Sequence, residues 1–468
     1  MGDLVVVRAD LGGDGAVDIR IADGRIHSVG PDLPVGDDDR LLDAAGGAVL
    51  PGLHDHHVHL YAAAAAGESL PLGPDHVEST DRFAEVLRRR DRELPAGAWI
   101  RGVGYHERVA GELDRHQLDR IVAHRPVRIQ HRTGSQWILN THALEAVLAG
   151  SPDQGGIEAD RAGSPTGRLF RMDEWIEAAA GRLEPGLDVV GERAARFGIT
   201  GLTDATPFGD IDRLDTLARA RTDGRLPQRV TVMTAPDTGP GCPPTLGLGP
   251  VKIMLDDQSL PPFDQLVSQI RAAHGAGRPV ALHCVTRVQL VLTIAVLEEA
   301  GGGRGDRIEH GAVIPSETIP VLGRLGVTVV TNPGFVHDRG DDYLTDVDPE
   351  DREDLYRCRS LLAAGVAVAA GTDAPFGPDD PWTLARTAVV RRSRSGRAVG
   401  AGEGVDPTMA LSLLLGSAER PDSPRVLAPG RPGDLCVLAV PFAEGLRTLD
   451  AANVAVTVIG GEVAADNR

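Results

Sequence analysis

Short apolar runs recur through the middle of the chain at an interval near ~30 residues, the length of one strand-plus-helix unit, and that interval constrains the fold more than any other feature. The runs occupy residues 199–203, 230–234, 251–255, 280–283, 307–310, 327–331 and 366–370, separated mostly by helical patterns of which 262–276 and 288–300 are the clearest. Lys252 to His283 is 31 residues, His283 to His310 is 27, and His310 to Asp373 is 63, which makes two units with 327–331 as the strand between. Counting residues 49–59 as a first strand gives eight. Eight parallel strands alternating with helices predict an α/β fold of the (β/α)8 TIM-barrel type.

The 468-residue chain is too long for one small core. Its first fifty residues and its last stretch read instead as short strands: 4–8, 16–22 and 26–29 at the start, 434–440 and 454–459 near the end. Neither end can bury a core alone, so residues 1–50 and 405–468 are expected to form one composite β-sandwich. Residues 51–66 and 191–404 are then the barrel. Residues 67–190 break the repeat, with helical patterns at 81–94 and 142–148, strand patterns at 99–103 and 127–130, and a Gly/Pro-rich stretch at 150–167. They read as an inserted α/β subdomain after the first strand, where a barrel's active-site loops arise, and so as a cap.

Charge and cysteine usage narrow the function classes. A net charge of −19 without a basic stripe argues against nucleic acid. No apolar run approaches the ~20 residues of a membrane span, and the N-terminus lacks the basic-then-apolar pattern of a secretory signal. Four cysteines, Cys242, Cys284, Cys358 and Cys436, lie far apart with no CxxC pair. A cytoplasmic enzyme with a small-molecule substrate is expected, as a homo-oligomer, most simply a dimer. Of 48 basic residues only Lys252 is lysine. Where Arg replaces Lys elsewhere, a retained lysine suggests a task that an always-charged guanidinium cannot do.

The chemistry concentrates at strand ends. In Pro51-Gly52-Leu53-His54-Asp55-His56-His57-Val58-His59, alternation along a strand projects His57 and His59 together, as a metal grip requires. His54 and His56 share the other face and are expected to pack or hydrogen-bond. Lys252, His283, His310 and Asp373 each close a predicted strand, on the barrel face where active sites are built. Together they point to a centre for divalent metal.

This set resembles the amidohydrolase superfamily: HxH on strand one, Lys on strand four, His on strands five and six, Asp on strand eight. The finer resemblance is to its amidohydrolase-3, YtcJ-like branch, supported by Trp137-Ile138-Leu139-Asn140-Thr141-His142-Ala143-Leu144, Pro165-Thr166-Gly167 and Pro429-Gly430-Arg431-Pro432-Gly433-Asp434-Leu435. The resemblance implies one or two divalent metal ions, Zn2+ first. His57, His59 and Asp373 would hold the more buried one, and His283 and His310 a second. It implies a CO2-derived carbamate on Lys252 bridging them, and Asp373 as general base toward metal-activated hydroxide.

Three positions depart from the branch pattern: Asp257 after Asp256, Val285-Thr286-Arg287-Val288 after the strand-five His, and Asn332-Pro333 on strand seven. They lie where substrate is expected, and His131, Arg287 and Asn332 are candidate substrate contacts. The resulting expectation is hydrolysis of a non-peptide C–N bond, in an amide or an N-acyl or N-formyl amine. The alternatives are a cyclic amidohydrolase, an aminohydrolase (deaminase) acting on a heterocycle, or a non-catalytic barrel.

Overall fold

The computed structural model describes residues 2–13, 15–150, 154–181, 186–236, 241–257 and 259–468; part of the Gly/Pro-rich stretch, 151–153, lies outside them. The chain divides into two compact units, Met1–Leu60 with Leu187–Arg468, and Tyr61–Gly186.

The larger unit holds the eight-stranded parallel sheet. Its order is Leu53–Val58, Ile199–Phe208, Arg229–Thr234, Gly247–Ile253, Val280–Cys284, Arg307–His310, Thr328–Thr331 and Ala367–Ala370. Most residues of these strands are buried on both faces, as parallel strands under crossover helices must be. The barrel nearly closes between its first and last strands. There Asp373 N donates to His57 O at 2.7 Å and His59 N to Ala374 O at 2.9 Å. That approach needs Gly371, because a Cβ at this position would stand 2.4 Å from His57 N and 2.5 Å from His57 Cβ.

The helices carry ordinary start and stop chemistry. Arg287–Ala300 begins at Thr286, whose hydroxyl accepts from Gln289 N at 3.2 Å, and ends at Gly301 in the left-handed region.

Two four-stranded sheets flank this barrel in the same unit. One runs Arg25–Gly30, Val17–Ala22, Leu4–Ala9, Arg40–Asp43; the other runs Glu462–Asp466, Val454–Ile459, Leu435–Leu438, Val49–Pro51. One core unites them, with Leu4, Val6, Ile19 and Ile26 packed with Leu435, Val437, Val456 and Val458. The run 49–59 is therefore two strands rather than one. Pro51 ends the sandwich strand, and Gly52 turns the chain into the barrel, where a Cβ would meet the Thr200 side chain at 2.1 Å.

The smaller unit is a six-stranded mixed sheet: Ile157–Ala159, Pro165–Phe170, Gln136–Leu139, Val127–His131, Ile100–Tyr105, Leu70–Pro71. Its helix Thr80–Glu93 buries Phe83, Val86 and Leu87 against Ile100, Tyr105 and Ile129. The helix starts at Ser79, which accepts from Arg82 N at 3.3 Å.

Candidate metal centre

Four histidines and one aspartate meet at the C-terminal end of the barrel strands. Ring centroids are 5.4 Å apart for His57 and His59, 4.6 Å for His57 and His310, and 4.6 Å for His283 and His310. Asp373 Oδ1 lies 3.4 Å from His57 Nε2 and 3.2 Å from His59 Nε2. His310 and Asp373 both take positive φ, 69° and 56°, a left-handed backbone that L-residues adopt where surrounding structure holds them.

Each of three imidazoles has an oxygen partner at Nδ1. Glu309 accepts from His57 Nδ1; Thr206 Oγ1 lies 3.0 Å from His59 Nδ1, and Asn332 Oδ1 2.8 Å from His310 Nδ1. A proton on Nδ1 leaves the lone pair on Nε2, the tautomer a metal ligand needs. Burial, with the Lys252 charge next in effect, pushes His57 down to about 3, so its ring is neutral. Burial would raise the Asp373 carboxyl, but the adjoining imidazoles, His59 first and then His310 and His57, outweigh it and keep the group ionised.

The consequence is a cluster of electron-rich atoms facing one another. His57 Nε2 and Asp373 Oδ1 are buried, face one another, and have no hydrogen-bond partner among the described residues. A lone pair facing a carboxylate oxygen repels unless a cation stands between them. The residues therefore fit a divalent metal held by His57, His59 and Asp373, three groups whose ligand atoms all lie within 4.8 Å. Lys252 is fully buried and its Nζ is likewise without a hydrogen-bond partner; burial lowers its pKa against the opposing pull of Glu309 and Asp373.

Two groups around this centre were not singled out from sequence. Glu309 is completely buried and receives Arg307 Nε at 2.7 Å and Nη2 at 3.1 Å besides His57. Burial opposes its ionisation, yet Arg307, His57 and Lys252 hold it well below the usual carboxylate range. Asp55 takes Thr372 N at 2.9 Å and His57 N at 3.2 Å, anchoring the turn that presents Asp373. Burial raises the Asp55 carboxyl to about 6 despite those bonds. An Arg-x-Glu pair inside an apolar barrel strand was the available signal for Glu309, since a buried charge pair is costly without a task.

The remaining candidates have partners within the protein. Asn332 spends its amide on the protein, with Oδ1 on His310 and Nδ2 donating to Gly371 O at 2.7 Å. Arg287 pairs with Asp351 and lies 3.8 Å from Glu317. His131 belongs to the smaller unit, beside Glu107 and Thr133. His54 and His56 stack at 4.4 Å, and His54 Nε2 meets Thr203 Oγ1 at 2.8 Å. Two of the departures from the branch pattern touch one another, with the Thr286 hydroxyl donating to Asp257 at 3.1 Å.

Comparisons with known proteins identify the family of the chain. The N-substituted formamide deformylase of Arthrobacter pascens is 25% identical over 88% of each chain. The YtcJ protein of Bacillus subtilis (strain 168), named as an amidohydrolase, is 26% identical over 89% of each. Among solved structures, a metal-dependent hydrolase from Pyrococcus furiosus superposes with a TM-score of 0.68 at 19% identity, covering 92% of this chain and 97% of that one. The sequence profile described as "Amidohydrolase family" matches residues 40–465, and the chain belongs to that family.

Proposed function

We propose that the protein hydrolyses the C–N bond of an amide or of an N-acyl or N-formyl amine at the centre formed by His57, His59, His283, His310 and Asp373. The observation that carries this reading is the facing, unprotonated pair His57 Nε2 and Asp373 Oδ1 at 3.4 Å, an arrangement that calls for a cation. The formamide-directed name of the Arthrobacter pascens relative favours N-formyl substrates. A divalent ion bound there, Zn2+ by first expectation, would polarise the scissile carbonyl and acidify the attacking water.

The chain's own groups divide the remaining work. Asp373 is ionised and takes the proton as water adds to the carbonyl, then returns it to the departing amine. Glu309, Thr206 and Asn332 orient the imidazoles of His57, His59 and His310 through their Nδ1 atoms. His283 and His310 would hold a second metal ion, if one is bound. Lys252 would supply a CO2-derived carbamate as a ligand common to both positions: burial favours its neutral amine, the form that can add to CO2 with loss of a proton.

A second reading has its own support. Glu309 and Asp373 favour a charged Lys252, which would then serve beside a single metal as a fixed cation. For location, we propose the cytoplasm. Cys242, Cys284, Cys358 and Cys436 are all free thiols, and among the described residues no helix is long and apolar enough to cross a membrane.

The test is a screen of metal-reconstituted enzyme over N-formyl amines, N-acyl amines, cyclic amides and aminated heterocycles. Release of formate or carboxylate from the first two groups is the expected result. Ammonia released from heterocycles alone would move the assignment to a deaminase. Loaded enzyme inert toward all four would overturn hydrolysis.

A further inference from the structure

The smaller unit contains a second convergence of ligand atoms, well separated in sequence from the barrel set. His106 and Glu107 stand where the strand Ile100–Tyr105 passes into the short helix Glu107–Ala110, and His131 ends the neighbouring parallel strand Val127–His131. Strand pairing brings Tyr105 opposite His131, so the three side chains gather at one end of the sheet. Glu107 Oε2 lies 3.3 Å from His131 Nε2 and 3.7 Å from His106 Nε2, and the three ligand atoms lie within 4.8 Å of one another. The two rings are 5.9 Å apart at 31°.

We propose that His106, Glu107 and His131 form a second divalent-metal site, internal to the inserted unit, for a borderline cation of the Zn2+ or Co2+ type.

The distances support the assignment. Ligand bonds of about 2.0–2.2 Å in a tetrahedral shell place neighbouring ligand atoms about 3.3–3.6 Å apart, which brackets one measured separation and falls 0.1 Å short of the other. Two imidazoles with one carboxylate are also the donor set that suits such cations, in preference to hard ions that take only oxygen. Protonation agrees: burial lowers the His131 pKa and keeps that ring neutral. Burial opposes the ionisation of Glu107, but a backbone hydrogen bond and the two imidazoles hold the carboxylate charged.

Both rings make backbone contacts through their second nitrogens. His131 Nδ1 lies 2.8 Å from Thr133 Oγ1 and accepts from Thr133 N at 3.3 Å, and His106 Nδ1 accepts from Arg108 N at 3.2 Å, capping the short helix. Ligation through Nε2 moves each ring proton to Nδ1 and gives up these two long backbone bonds, while Thr133 Oγ1 can accept the proton of His131 Nδ1, a small loss beside two or three coordinate bonds. With His131 25 residues from His106 and 24 from Glu107, the cation would tie the strand-to-helix junction to the neighbouring strand end. Its role is therefore structural.

The experiment counts metal in the full-length protein. Chelator-stripped protein is equilibrated with Zn2+ alone, passed through gel filtration, and its zinc measured by mass spectrometry. Wild type should carry one equivalent more than His131→Gln, and one more than His106→Asn, a replacement that keeps a capping side chain. The double variant His57→Ala/His59→Ala should lose barrel zinc yet still rise in Tm when Zn2+ is added, and adding His131→Gln to it should abolish that rise. Equal zinc content in wild type, His131→Gln and His106→Asn would overturn the proposal and leave a hydrogen-bonded trio. The stoichiometry of the single variants decides the matter even if the barrel double variant does not fold.

Discussion

Glu309→Gln removes one charge from the centre while keeping its shape, and the structure gives the size of the effect. Three N–H groups converge on the carboxylate: Arg307 Nε at 2.7 Å, Arg307 Nη2 at 3.1 Å, and His57 Nδ1. A glutamine amide offers one oxygen and one NH2 group, so either orientation sets an N–H against another donor. The Arg307 guanidinium is then buried without its counter-charge, which costs about 3–5 kcal/mol. His57 also loses the partner that holds its proton on Nδ1, a change that lowers metal affinity about 10–100-fold. The assay is Zn2+ affinity, by competition with a chromogenic chelator under conditions where circular dichroism shows the variant folded, alongside urea unfolding. Glu309→Asp should recover part of the affinity, because the charge returns at a shorter reach. Wild-type Zn2+ affinity in Glu309→Gln would refute the orienting role, whatever happens to stability.

Other outcomes follow from the same geometry. Lys252→Arg should lose zinc and activity as fully as Lys252→Ala if the lysine bridges as a carbamate, since guanidinium cannot form one. Retention of both by Lys252→Arg, measured by zinc content and turnover, would favour the single-metal reading. Gly371→Ala places a methyl carbon 2.4 Å from His57 N, and should destabilise the protein by about 1–3 kcal/mol or more in urea titration; an unchanged midpoint contradicts the tight closure. Asp373→Asn should lower kcat by about 10²–10⁴-fold in folded protein, and a smaller loss would move the base elsewhere.

The barrel was legible because its signal is local: apolar runs of four or five residues at a regular interval survive as a pattern without tertiary knowledge. Boundaries were less so. The fourth strand begins at Gly247, earlier than its apolar run, since Gly247, Gly249 and Pro250 have no strand signature of their own. The break at Gly52 was hidden because Val49–Pro51 and Leu53–Val58 are separated by that single residue, and only the antiparallel partner Leu435–Leu438 tells them apart.

The residues around the centre divide in the same way. His57, His59, His283, His310 and Asp373 stand at strand ends, where spacing alone marks them. Their supports do not. Glu309 reaches His57 across 252 positions of sequence, and Asp55 reaches Thr372 across 317. Asn332 shows the converse: its proximity to the centre was readable, but the engagement of its amide by His310 and Gly371 was not.

The central claim is a divalent metal between His57, His59 and Asp373. Crystals of protein reconstituted with Zn2+, with diffraction recorded above and below the zinc absorption edge, test it directly. The account predicts an anomalous peak about 2.0–2.2 Å from His57 Nε2, His59 Nε2 and a carboxylate oxygen of Asp373. Zinc-loaded protein with no peak among these three residues would contradict it.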